Sequence, residues 1–268
     1  MTPLQPLLYL AEPTFALLIQ GVKQVALGQQ TYRYSAGQYL IYLVDLPLSS
    51  NVIEASEDEP LLGLGLTIKP ERVAALLLES GFPPENMTNQ GSIAVSELSD
   101  DLLDPLTRLL RLLDNPKDIP ILAPSIEREI LWRLINGEQG AMLQQLGISN
   151  GRMMQIFRAI RWIRNHYKEN IRIDTLAQEA SMSATSFHRH FLSVTSLSPI
   201  QFQKQVRLQM ARTLIASSLK SVAEIGFEVG YDSPSQFSRE YRRLFGRPPN
   251  EDGRFIRETS VANASLKQ

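Results

Sequence analysis

Between residues 14 and 68 short apolar runs alternate with turn residues, the period-two pattern of half-buried strands. Runs at 15–19, 23–27, 31–34, 39–44, 51–54 and 61–68 are the expected strands. Gly21, Gly28-Gln29, Ala36-Gly37, Pro47-Leu48 and the polar stretch 57–60 are the expected turns. Strands this short and closely spaced predict a small antiparallel sandwich or barrel. At residue 70 the period becomes helical. Pro70 opens a helix over 71–80, and Gly81-Phe82-Pro83-Pro84 ends it. Asp100 and Asp101 precede leucines at 102, 106, 109 and 113, which share one helix face, until Asn115-Pro116. Ser125 is expected to cap a helix over 126–136, and 147–151 is the expected boundary zone. Every later apolar run is helical. One helix over 153–167 has apolar residues at 153, 156, 157, 160 and 163, and a longer one opens at Ser198-Pro199 and runs to about 217.

The second half contains a degenerate repeat. Leu176, Ala177, Ala180, Met182, Ser183, Phe187 and Phe191 correspond to Ile225, Gly226, Val229, Tyr231, Asp232, Phe237 and Tyr241, with one residue inserted in the second turn. Each copy has the composition of a helix-turn-helix: a small residue where two helices cross, an aliphatic core, a short polar turn and a second helix with inward aromatics. With Phe187 and Phe191 inward, Thr185, His188 and Arg189 face outward; with Phe237 and Tyr241 inward, so do Ser235, Gln236 and Arg239. These side chains suit base edges, since Arg grips guanine O6/N7, Gln pairs with adenine and Ser or Thr serves several acceptors. Ser183, Ser233, Lys204, Arg242, Arg243 and Arg247 are the candidates for phosphate contacts, which position without reading sequence. A connector of about 20 residues at ~1.5 Å per residue spans roughly 30 Å, near the ~34 Å between successive major-groove faces.

Charge supports that reading only once the chain is divided. The total is −1, but residues 1–150 carry 9 Lys and Arg against 18 Asp and Glu, and residues 151–268 carry 18 against 10. A half at −9 beside a half at +8 places the polyanion partner at the carboxyl end. There is no cysteine, and all three histidines, His166, His188 and His190, lie in the second half. Disulfides and thiolate metal sites are excluded, and no metal site or cofactor is expected. His188 and His190 are two apart and share no helix face. No run reads as a signal peptide or membrane span, so the expected setting is the cytoplasm, away from membranes.

Phe187-His188-Arg189-His190-Phe191, Ser235-Gln236-Phe237-Ser238-Arg239-Glu240-Tyr241 and Phe245-Gly246-Arg247-Pro248-Pro249 together resemble the AraC-type family of bacterial transcription regulators over about residues 153–255. Gln20-Gly21, 39–44 with Asp45-Leu46-Pro47, Glu54-Ala55-Ser56 and Ile126-Glu127-Arg128-Glu129-Ile130 resemble one subfamily's regulatory domain. The resemblance implies an α+β chain. A cupin-like β-barrel with trailing helices over 1–147, for regulation or dimerisation, precedes an all-α double helix-turn-helix domain over 152–257 and a tail over 258–268. It also implies RNA polymerase as a partner beside double-stranded promoter DNA, with activation the commoner mode. Two positions depart from the family pattern. Gly226 stands where Ala is usual, and Asp252-Gly253 where many members carry Tyr-Arg.

The first half leaves more open. A small barrel is a place for a small-molecule effector, for which Gln20, Lys23, Arg33, Tyr42 and Asp45 are candidates; a side-chain-filled barrel that only dimerises is the alternative. The leucine stripe serves a homodimer seam or burial on the barrel equally well, since Leu103, Leu110 and Leu112 widen it. An enzyme on a cupin-like barrel would lack the histidines that such metal sites resemble. A non-specific architectural DNA binder would have no use for two distinct recognition helices.

Overall fold

The computed structural model describes residues 7–81, 91–147, 151–218 and 220–265. Phe82-Pro83-Pro84 and residues 148–150 of the expected boundary lie outside that range. The first half holds strands β1 (Leu7–Ala11), β2 (Thr14–Gln20), β3 (Val22–Leu27), β4 (Gln30–Ser35), β5 (Gln38–Tyr42), β6 (Leu46–Glu54) and β7 (Leu62–Thr67). Helix α1 (Pro70–Ser80) and strand β8 (Ile93–Glu97) follow, then α2 (Asp100–Arg111), α3 (Ile119–Ile135) and α4 (Gly140–Gln144). The strands form two four-stranded antiparallel sheets, ordered β1-β6-β3-β4 and β7-β2-β5-β8. No ladder closes them into one barrel among the described residues, so the expected cupin-like barrel is an open sandwich. Alternation buries Phe15 and Leu17 of β2 opposite Ile41 and Tyr39 of β5. Val25 and Leu27 of β3 are buried in the other sheet.

Three local expectations are corrected. Pro47-Leu48 is not a turn: Pro47 pairs with Leu10 at the start of β6, where β1 alone is alongside. The missing N–H is tolerated there because the β3 ladder begins only at Ser49. The reversal falls instead at residues 43–45. Ser125 is not a helix cap, because α3 begins at Ile119 and runs through Pro124. The bond Pro124 cannot make would go to the carbonyl of Pro120, in the helix's first turn. The leucine stripe divides: Leu102 and Leu106 are buried, while Leu103, Leu110 and Leu113 are exposed.

The second half is α5 (Arg152–Asn165), α6 (Ile173–Glu179), α7 (Ala184–Thr195), α8 (Pro199–Ser217), α9 (Val222–Glu228), α10 (Pro234–Phe245) and α11 (Pro249–Ser265). Ser198 caps α8 through a reciprocal capping box with Gln201. Helix α11 extends through most of the stretch expected to be a tail. No helix is long and apolar enough to cross a membrane, among the described residues.

Buried apolar residues fall into two clusters. The larger runs from the sheets through α5, α6 and α7 to Phe202 and Val206 of α8. The smaller, made by Leu208, Ala211, Ile215 and the aromatics of α10, belongs to the second helix-turn-helix. The first helix-turn-helix is therefore packed on the sandwich. Gly28, at the β3–β4 turn, lies so close to Ser196 that a Cβ would stand 3.0 Å from its carbonyl oxygen. Ser196 Oγ bonds Gln30 Oε1 at 3.0 Å, and the Ser92 hydroxyl donates to the Val194 carbonyl in the last turn of α7. Asp45, buried at the β5–β6 reversal, meets Arg164 of α5 at 2.6 Å.

Candidate nucleic-acid interface

Each recognition helix begins at a serine. Ser183 Oγ accepts the N–H of Ser186 at the start of α7, and Ser233 Oγ accepts that of Gln236 at the start of α10, each at 3.3 Å. These caps satisfy one free donor apiece. The remaining first-turn N–H groups and the positive end of the helix dipole are of the kind that suits an anion. Aromatic anchors then fix each helix's rotation. Phe187 and Phe191 in α7, and Phe237 and Tyr241 in α10, are fully buried. Thr185, His188 and Arg189 are consequently exposed on α7, and Ser235, Gln236 and Arg239 on α10. Exposed cationic and amide groups on a rigid helix face can reach a major-groove edge. His190 is buried. Desolvation, then the charges of Arg152 and Arg189, lower its pKa and favour the neutral ring.

Arg242 and Arg243 are exposed in the last turn of α10. Arg247 is half-buried with its guanidinium over the Phe255 ring at 4.2 Å. Lys204 is engaged inside the protein: its Nζ lies 2.9 Å from Glu240 Oε1. Glu240 also accepts the Tyr231 hydroxyl at 2.9 Å and Gln236 Nε2 at 3.2 Å. Burial opposes its charge, but these three donors outweigh that and hold its carboxyl below the usual value.

A joint between the two units escaped the sequence reading. Arg207 of α8 donates Nε to the Tyr167 carbonyl at 2.6 Å, and Nη2 to the carbonyls of Lys168 at 3.1 Å and Glu169 at 2.8 Å. Gln203, one turn earlier, donates to Tyr167 and Glu169 at 2.9 and 2.6 Å. The turn after α5 is thus strapped to the connector, and Gly230 of the second unit packs against the same turn. A charged donor satisfying three carbonyls makes this joint stiff. The signal was present in the sequence as a Gln and an Arg at i and i+4 beside Phe202 and Val206. Asp252 stands out along the chain only as a departure from the family pattern, and its partners come from other helices. It is fully buried, accepting Arg212 Nε at 2.9 Å, Arg212 Nη2 at 3.1 Å and the Tyr241 hydroxyl at 2.7 Å.

The five effector candidates do not converge. Arg33 pairs with Glu54 at the surface at 2.9 Å. Tyr42 is buried, and Asp45 is committed to Arg164. Gln20 donates to the Pro60 carbonyl at 2.9 Å and lines a cleft of about 320 Å³ with Gly21, Ser35, Glu54, Ser56 and Glu59. Lys23 alone shares the face of Val25 and Leu27, opposite Tyr34 and Val52. No carboxylate lies within ion-pair distance of it among the described residues, and burial lowers its pKa.

Two helix-turn-helix units on one chain, each presenting a capped cationic helix and joined to a β-sandwich, define a DNA-binding transcription regulator. Residues 1–142 match the family model described as AraC-type transcriptional regulator N-terminus, and residues 176–254 match a helix-turn-helix domain model. The chain belongs to the AraC-type transcriptional regulators. It is 21% identical over 255 residues to the uncharacterized HTH-type transcriptional regulator YdeC of Bacillus subtilis, covering 91% of this chain and 84% of that one. It is 24% identical over 156 residues to the HTH-type transcriptional activator RhaS of Escherichia coli, covering 58% of this chain and 55% of RhaS. The solved structure of ToxT from Vibrio cholerae bound to (E)-4-(8-methylnaphthalen-1-yl)but-3-enoic acid has the same fold, with a TM-score of 0.61 at 12% identity over 94% of this chain and 93% of that one. ToxT bound to an unsaturated fatty acid matches at 0.54 and 12% identity, covering 91% and 87%. YdeC and RhaS are both transcriptional regulators, which favours regulation over the enzyme reading.

Proposed function

We propose that residues 152–257 read a specific promoter sequence through α7 and α10, and that residues 1–147 regulate this by binding a small effector. The observation that carries the DNA-reading half is the outward placement of all six base-contact candidates on two helices whose rotation is locked by buried aromatics. Arg189, Arg239 and Gln236 read bases; Ser183, Ser233, Arg242, Arg243 and Arg247 hold phosphates. Lys204 belongs to that second group only where its ion pair with Glu240 is shared with the backbone. Arg189→Ala or Arg239→Ala is expected to cost about 1–3 kcal/mol at one cognate base pair and to relax preference there. Arg243→Ala should weaken all duplexes alike and reduce the salt dependence by about one ion. Footprinting and salt titration of the full chain on a duplex selected from a random pool would check both; an unchanged preference after Arg189→Ala would remove α7 from the groove.

The effector is an anion with an apolar body. Lys23, half-buried on the inner face of β3 without a carboxylate partner, supports this, as do the carboxylic acids carried by the ToxT structures. An unpaired, desolvated ammonium gains most from a ligand carboxylate. A panel of fatty acids should raise the melting temperature of the wild-type chain by several degrees, as binding to the folded state requires. Lys23→Met should abolish that rise, and an undiminished rise in the variant would place the ligand elsewhere. Asp45–Arg164 and the Ser92–Val194 bond are the route by which a change between the sheets reaches α5 and α7 respectively. Activation through RNA polymerase is the mode proposed, RhaS being an activator. The exposed Leu103 and Leu110 of α2, with Leu113 in the turn that follows it, support self-association through this face.

A further inference from the structure

We infer that Glu240 is a positioning residue for base recognition: it holds the Gln236 amide in one orientation, so that this side chain presents a fixed donor–acceptor pair to the duplex. The inference rests on the assignment of Gln236 to base reading and goes beyond it by naming what makes that reading selective.

The geometry is specific. Gln236 and Glu240 are one turn apart on α10, with Nε2 to Oε1 at 3.2 Å. Lys204 of α8 occupies the same Oε1 at 2.9 Å, and the Tyr231 hydroxyl from the α9–α10 turn occupies Oε2 at 2.9 Å. The Glu240 side chain is 13% exposed. With donors on both oxygens it is held by three elements of the fold and has little left to offer a base. A carboxylate only accepts hydrogen bonds, so Gln236 must turn its NH2 group, not its carbonyl, toward Glu240. One N–H is thereby committed. The other N–H and the carbonyl oxygen remain for the groove, the pair that complements adenine N7 and N6. An untethered glutamine rotates its amide and offers the reversed pattern equally. Lys204 completes the arrangement, because its charge keeps the Glu240 carboxylate from repelling the phosphates.

The test uses the full chain and a duplex it selects from a random-sequence pool, with every base pair under α10 substituted in turn. Gln236→Ala should flatten the preference at one base pair. Glu240→Met, which removes both acceptor oxygens, should lower the preference at that same base pair roughly 5- to 10-fold, within the range of one bidentate contact, and leave the others unchanged. The double variant should show the preference of Gln236→Ala alone. The readout is a ratio between duplexes bound by one folded protein, so lost stability cancels. Should Glu240→Met not fold, Glu240→Asp keeps the charge beside Lys204 while drawing the carboxylate back from Gln236, and the same loss is expected. If Gln236→Ala flattens no base pair, the base-reading assignment itself fails. If it flattens one but the Glu240 variants leave that preference intact, or weaken all sequences equally, the positioning role is overturned.

Discussion

Replacing Asp252 by alanine is expected to unfold the second helix-turn-helix while the sandwich and first unit remain folded. Asp252 is fully buried, and its two oxygens accept Arg212 at 2.9 and 3.1 Å and the Tyr241 hydroxyl at 2.7 Å. Removing the carboxylate leaves a nearly buried guanidinium without its counter-charge, over the Phe245 ring, and a phenol without an acceptor. Breaking one side of such a buried pair costs about 3–5 kcal/mol. The loss is local because the second unit has its own small core of Leu208, Ala211, Ile215 and the α9 and α10 residues. Burial of the Tyr241 phenol and its bond to Asp252 both push its pKa upward, so it stays a donor throughout the working pH range. Hydrogen exchange would show protection vanishing in α9, α10 and α11 but persisting in α5 and α7, and sequence-specific binding should fall to the non-specific level. Uniform protection in the variant would mean that the triad carries little of the unit's stability.

Gly230→Ala is expected to destabilise the same unit by roughly 2–5 kcal/mol, combining a strained backbone with overpacking. Gly230 has φ +96°, and a Cβ there would stand 2.3 Å from the Lys168 carbonyl oxygen and 2.9 Å from its C and Cα atoms. Every obstacle is backbone, and Arg207 and Gln203 hold that backbone in place through five hydrogen bonds, so it has nowhere to yield. Gly246 is the natural control. It also has positive φ, at +77°, but a Cβ there meets nothing within 4 Å. Gly246→Ala should therefore cost only the left-handed conformation, about 1–2 kcal/mol. Urea unfolding of the two variants separates the contributions, and equal losses would show that the contact with Lys168 does not matter.

The helical half was legible almost residue by residue. The Ser198 cap, Pro199 and the aromatic spacing at 187/191 and 237/241 are local signals, and the structure places their helices and buried faces as expected. The sandwich was legible only in part. Strands β1 and β8 were missed because each is a five-residue strand whose pairing partner lies far along the chain, β6 for one and β5 for the other. Pro47 read as a turn because its compatibility with β6 depends on which neighbour lies alongside. Asp45 read as a ligand group for a similar reason: a carboxylate in an apolar run signals a partner, but nothing local says that the partner is Arg164 of another unit.

By itself the sequence determined the class of this protein, because a helix-turn-helix is specified by contacts within some twenty residues and its free face follows from the period of 3.6. Only the tertiary structure decided how the two recognition helices are held relative to each other and to the sandwich. That geometry lives in the Arg207 joint, the Glu240 hub, the Asp252 triad and the Asp45–Arg164 bridge. Each joins polar groups from different elements, where burial makes pairing obligatory but no periodicity along the chain announces the partner.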